Sequence, residues 1–375
     1  MNKNFFIAIL VIGLVLLVGW VYYVNTIAAQ PAPLERIQTD WWGSGHADVK
    51  SISFNYWNED DPPLVPENCA KCHSGSGFVD YIGQDGSQPM AVDQPAAVSS
   101  PVSCFVCHNE KADQLAAAQF PSGIQVAMPP DDVLCGTCHS GLSAGSRVDS
   151  VSEGFSDDEV VPDTRLVTPH YAYAAATWLG SEAGGGYEYP GKLYVGRFEH
   201  ANGVETCTQC HDPHSTRIRK DFESNQPDLC AACHSNVTGY ADYKDIYVKG
   251  ADYDGDGLIE GTYHEIEGTR DVLYQAIQVY AKEVIKEPVG WADSSPFFYK
   301  DSNDDGIIDE SEAVPANAFT SLTPRLMRAA FNYQFSVKDP AGYVHNGKYI
   351  LQLLVDAIQD ISSVTEFQAG NLARP

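Results

Sequence analysis

Positive charge is scarce in this chain: 23 Lys and Arg stand against 50 Asp and Glu among 375 residues, a formal net charge of −27. Such a surface repels phosphate backbones and excludes nucleic acid as a partner. It suits solubility and docking to basic patches on other proteins. Methionine is scarcer still. Beyond Met1 there are only Met90, Met128 and Met327, so a set of metal centres drawing widely on thioether sulfur has almost nothing to use. Cysteine is absent before Cys69 and after Cys233. No G-x-G-x-x-G pattern is present, so the glycines of residues 183–191 read as an irregular aromatic loop rather than a phosphate cradle.

The ten cysteines leave nothing over. They fall as Cys69-Ala-Lys-Cys72-His73, Cys104-Phe-Val-Cys107-His108, Cys135-Gly-Thr-Cys138-His139, Cys207-Thr-Gln-Cys210-His211 and Cys230-Ala-Ala-Cys233-His234. Structural zinc would leave each adjacent His unexplained, and a thioredoxin-like pair is usually single. C-x-x-C-H is the attachment signature of c-type haem: two thiols add across the two vinyl groups of one porphyrin, and the following His takes the iron. The reading is five haems c, held by Cys69, Cys72, Cys104, Cys107, Cys135, Cys138, Cys207, Cys210, Cys230 and Cys233, with His73, His108, His139, His211 and His234 as proximal ligands.

Six histidines remain. Closing five irons on their second face needs five of them. His46 lies in a Gly/Ser loop ahead of the first motif, and His170 follows a Pro that restricts its approach. His200 and His214 flank the fourth motif, and His345 precedes Asn346, a plausible cap for the last helix. These five are the expected distal ligands, and His264 is the spare. Iron closed by imidazole on both faces has no vacant position for substrate, which favours an electron carrier over a catalyst.

Three regions follow. Residues 5–24 carry no charge and as a helix would span about 30 Å, so residues 1–30 read as a membrane anchor, with a cleaved signal peptide as the alternative. Residues 31–245 form the pentahaem region. Residues 246–375 contain two Asp/Gly loops and three amphipathic helices, at 270–285, 323–335 and 347–361. In the second loop Asp301, Asn303, Asp305, Ile307, Asp309 and Glu312 occupy positions 1, 3, 5, 7, 9 and 12 of a calcium loop. The first begins alike at Asp252 but has Tyr263 at position 12, so one calcium is expected, and a second only if the first loop is completed otherwise. The 345 residues after the first 30 leave about 69 per macrocycle. The fold is therefore expected to be mainly irregular and α, cofactor-dominated, with helices packed on a haem stack and little β. A short helix is expected over 109–119.

The chain resembles exported multihaem c-type cytochromes over most of residues 40–361. The resemblance is carried by the five motifs and by Ser44-Gly45-His46-Ala47, Cys210-His211-Asp212-Pro213-His214 and Val344-His345-Asn346. These three phrases are similar to distal-ligand segments in the group that includes multihaem nitrite reductases and their electron donors. In those reductases the catalytic haem typically has a Cys-x-x-Cys-Lys motif, which is absent here. The resemblance implies a periplasmic or extracellular electron-transfer protein of anaerobic respiration, membrane-anchored or secreted, with a redox donor and a downstream reductase or extracellular acceptor as partners. Two alternatives stand beside it: a nitrite- or sulfur-oxyanion-type reductase with one open haem, and a subunit of a homo-oligomeric haem filament.

Overall fold

A computed structural model describes residues 13–14, 33–219, 230–231, 233–247 and 250–375. The chain opens with α1 (Pro33–Trp42) and α2 (Ile52–Asn55), then β1 (Leu64–Val65), α3 (Glu67–His73) and α4 (Gly75–Tyr81). There follow β2 (Ala96–Ala97), α5 (Cys104–Cys107), β3 (Ala117–Gln119), β4 (Gln125–Ala127), α6 (Pro130–Cys138), α7 (Ser146–Val151), α8 (Ala174–Leu179) and α9 (Cys207–Cys210). The last third holds α10 (Thr262–Tyr280), β5 (Val289–Trp291), β6 (Phe298–Lys300), α11 (Pro324–Val337) and α12 (Gly342–Ser362). The strands form three separate antiparallel pairs, β1–β2, β3–β4 and β5–β6, so the fold is irregular and helical with little β.

Two of the three long helices lie where the apolar spacing puts them, whereas α10 begins at Thr262, eight residues ahead of the expected start. In α10, Ile266, Leu273, Ala276, Ile277 and Tyr280 are buried at helical intervals. Thr323 caps α11, its Oγ1 accepting from Leu326 N at 3.2 Å, and Pro324 follows at the first helical position, where its missing N–H costs nothing. In α12 the backbone breaks at Asn346 (φ −168°, ψ 71°), and the Asn346 side chain accepts from Tyr349 N at 3.2 Å. Asn346 thus caps the long part of this helix, as expected, and leaves His345 on a short preceding turn.

Two expectations are corrected. Residues 109–119 are not a helix: a 3₁₀ turn at Ala112–Gln114 gives way to β3, because Asn109 Oδ1 accepts from Lys111 N and Ala112 N and turns the chain. The helices also do not merely cover cofactors. α10, α11 and α12 pack on one another around Leu273, Ile277, Leu326, Met327, Phe331, Phe335, Leu354 and Ile358, all fully buried, which is an apolar core of the ordinary kind. Truncating one of these leucines to Ala should cost about 2–5 kcal/mol. The 183–191 loop is irregular as expected and lies against this helical core. A Cβ on Gly186 would sit 2.3 Å from Leu353 Cδ1, and Tyr187 N donates to buried Asn332 Oδ1 at 2.8 Å.

No helix among the described residues is long and apolar enough to cross a membrane. The 5–24 segment lies outside the described residues, apart from Gly13 and Leu14.

Candidate functional site

The C-x-x-C-H motifs share one backbone device. His108 N, His139 N, His211 N and His234 N donate to the carbonyls of Cys104, Cys135, Cys207 and Cys230, at 2.7–2.9 Å. Each bond closes a helical turn. That turn sets thiols i and i+3 on one face and carries the His just past it, the arrangement two vinyl groups and one iron require. His73 is the last residue of α3, which Ser74 N closes by donating to the Ala70 carbonyl at 3.1 Å. No disulfide joins any two of the ten cysteines.

Motif three is the hub. Cys72 Sγ lies 3.6 Å from the Cys138 carbonyl, and Cys138 Sγ lies 3.5 Å from that of Lys71. Cys107 and Cys138 pack against the same apolar cluster around Phe78 and Val106. Oδ1 of buried Asp132, on α6, accepts from Cys207 N at 2.7 Å.

Four histidines from outside the motifs come to four within them. Ring centroids are 5.9 Å apart for His73 and His170, 6.3 Å for His108 and His214, 6.4 Å for His139 and His46, and 6.3 Å for His234 and His200. His211 and His345 belong to none of these four pairs, and His345 meets Asp339 instead. A metal–imidazole bond of about 2.0–2.1 Å on each side, plus the rings' own half-widths, separates two axial imidazoles by about 6 Å between centroids. The four measured spacings therefore fit one iron between each pair of rings. His264 joins none of these pairs. It is on α10, 3.4 Å from Asp245 Oδ1.

Burial keeps several of these rings neutral, the form with a lone pair to offer a metal. It pulls His139 down to about 4, and it lowers His46, His170 and His211. His345 is the exception. Burial would lower it, but the Asp339 carboxylate reverses the sign and holds it above the ordinary value. His345 Nδ1 donates to Asp339 Oδ2 at 2.9 Å, with Oδ1 at 3.1 Å.

The two acidic loops share the same first turn. At position 1, Asp301 Oδ2 accepts from Gly306 N at 2.8 Å, and Asp252 Oδ2 accepts from Gly257 N at 3.0 Å. Both position-6 glycines have left-handed backbones (φ +84° and +93°) that any side chain would strain. Glu312 accepts from Ser302 N at 2.7 Å and Asp309 N at 3.4 Å. In the first loop Glu265, not Tyr263, does this work: its carboxylate accepts from Tyr253 N at 2.7 Å and Glu260 N at 2.9 Å. Asp252, Asp254 and Asp256 each offer an oxygen within 4.8 Å of the others. Sequence reading missed Glu265 because it stands two positions past the expected carboxylate. It missed Asp339 because no spacing rule ties it to His345.

The Doubled CXXCH motif family matches residues 200–239, which contain the fourth and fifth motifs. The chain is a multihaem c-type cytochrome. It is 23% identical over 374 residues to the C-type polyheme cytochrome OmcB of Geobacter sulfurreducens, covering 84% of this cytochrome and 46% of the relative. To OmcC of that species it is 22% identical over 384 residues, covering 85% and 45%. The cytochrome thus spans less than half the length of the curated relatives it matches. No solved structure matches it.

Proposed function

We propose that this cytochrome relays electrons through five covalently held haems, each closed on both faces by imidazole. The pairs are His73 with His170, His108 with His214, His139 with His46, His211 with His345 and His234 with His200. The observation that carries this reading is the ring spacing of 5.9–6.4 Å in four separate pairs drawn from distant parts of the chain. Haem supplies the one-electron iron couple. The chain's residues do the rest: each thiol pair anchors one macrocycle edge, and each His pair blocks both iron faces against substrate. Paired imidazoles favour lower potentials than a His/Met set, and the sequence has few methionines.

The closeness of motif three to motifs one, two and four supports a junction there. The acidic surface, −27 in formal charge, suits a donor or acceptor with a basic docking face. The place of action is outside the cytoplasm, periplasmic or extracellular, and the acceptor is a downstream reductase or an extracellular oxidant. Calcium in the second loop, through Asp301, Asn303, Asp305, Ile307, Asp309 and Glu312, braces the α10–α12 unit. A second calcium takes the first loop with Glu265 supplying the closing carboxylate. Pyridine haemochrome analysis with carbon monoxide titration tests the reading: five haems per chain and no carbon monoxide adduct support it, and an open haem rejects it.

A further inference from the structure

Among the described residues, axial candidates whose rings have a hydrogen-bond partner mostly meet a backbone carbonyl. His73 Nδ1 donates to Ser53 O at 2.6 Å, His200 Nδ1 to Ala201 O at 3.0 Å, and His211 Nδ1 to Thr216 O at 3.4 Å. His345 instead donates Nδ1–H to a carboxylate, with both Asp339 oxygens within 3.1 Å. The Asp339 side chain is 4% exposed, so water screens its charge little. Asp339 sits between the end of α11 and the start of α12, and the break at Asn346 holds His345 on the turn beside it.

We infer that Asp339 is a positioning and tuning residue: it fixes the His345 ring with Nε2 free for iron and lowers the reduction potential of the haem that His345 shares with His211. The inference rests on the ligation proposed above. A carboxylate draws the Nδ1 proton more strongly than a carbonyl does. The opposite nitrogen becomes a stronger donor, which favours ferric over ferrous iron. The fixed negative charge acts in the same direction. The resulting step in potential falls between motifs three and four, where Asp132 on the helix of motif three accepts from Cys207 N, so it biases electron flow across that junction.

The test uses the full haem-loaded chain. Asp339→Asn keeps a hydrogen-bond acceptor and removes the charge. Potentiometric titration followed by low-temperature electron paramagnetic resonance should show one of five low-spin centres shifted toward easier reduction. The shift should be at least tenfold in its redox equilibrium, about 59 mV for one electron. Asp339→Glu should leave that centre within threefold of the unaltered protein. If all five centres in Asp339→Asn titrate as in the unaltered protein, the inference is overturned.

His345→Ala separates the two levels. If it creates no high-spin iron, the ligation itself fails. If it creates one while Asp339→Asn shifts nothing, only the tuning role fails. Should Asp339→Asn not load haem, the reduced unaltered protein still decides. Its His345 Nδ1 proton should resonate far downfield and exchange slowly, and a rapidly exchanging proton overturns the inference.

Discussion

The imidazole rings of His108 and His214 stand nearly parallel, with centroids 6.3 Å apart and planes 22° from each other. Those of His73 and His170 cross at 65°, and those of His200 and His234 at 69°. Parallel axial rings split the two iron d orbitals that point out of the haem plane, whereas crossed rings leave them nearly equal in energy. The oxidised protein should therefore show both a rhombic low-spin signal and highly anisotropic ones. His214→Ala should remove the rhombic component, and His170→Ala an anisotropic one. Loss of the same component in both variants would contradict these pairings.

Arg325 and Arg328 of α11 are nearly buried and meet three carboxylates. Arg325 Nε donates to Asp158 at 2.7 Å, Arg328 Nη1 to Asp157 at 2.9 Å, and both arginines reach Asp360 of α12. Arg325→Met should destabilise the chain by about 1–3 kcal/mol in chemical denaturation, since it strands partly buried charge. Burial would raise Asp158, but hydrogen bonds from Arg325 and Tyr280 outweigh it and hold this carboxyl below 3.8. A depressed carboxyl stabilises the fold fully above its ordinary value and loses that contribution as pH falls through the lowered one. Stability is therefore expected to be flat in this respect above about pH 4 and to fall below it, less steeply in Asp158→Asn.

Calcium removal should lower thermal stability. At a calcium concentration about a hundredfold above its dissociation constant, each site adds about 2.7 kcal/mol. Calorimetric titration should count two ions per chain, one in Glu312→Gln and one in Glu265→Gln. Two ions in Glu265→Gln would show that the first loop does not use that carboxylate.

How much of this was legible beforehand differs by feature. The motif cysteines and their histidines are set by local covalent geometry, so five adjacent residues suffice to read them. The Asn346 cap and the Thr323-Pro324 start of α11 are likewise local. The distal candidates could be counted against the irons, but their partners could not be assigned. His170 meets His73, 97 residues earlier, through long-range packing that no spacing encodes. Asp339 and Glu265 were invisible because their roles depend on where the backbone turns. The helical core was underestimated because residues per haem were averaged along the chain. The motifs are in fact confined to the first two thirds, and the apolar helices are gathered at the end.

The most direct measurement is carbon monoxide titration of the reduced, unaltered cytochrome, with haem counted per chain by pyridine haemochrome. Five closed His pairs predict five haems, an all-low-spin spectrum and no adduct. A carbon monoxide complex, a high-spin signal or fewer than five haems would contradict the account.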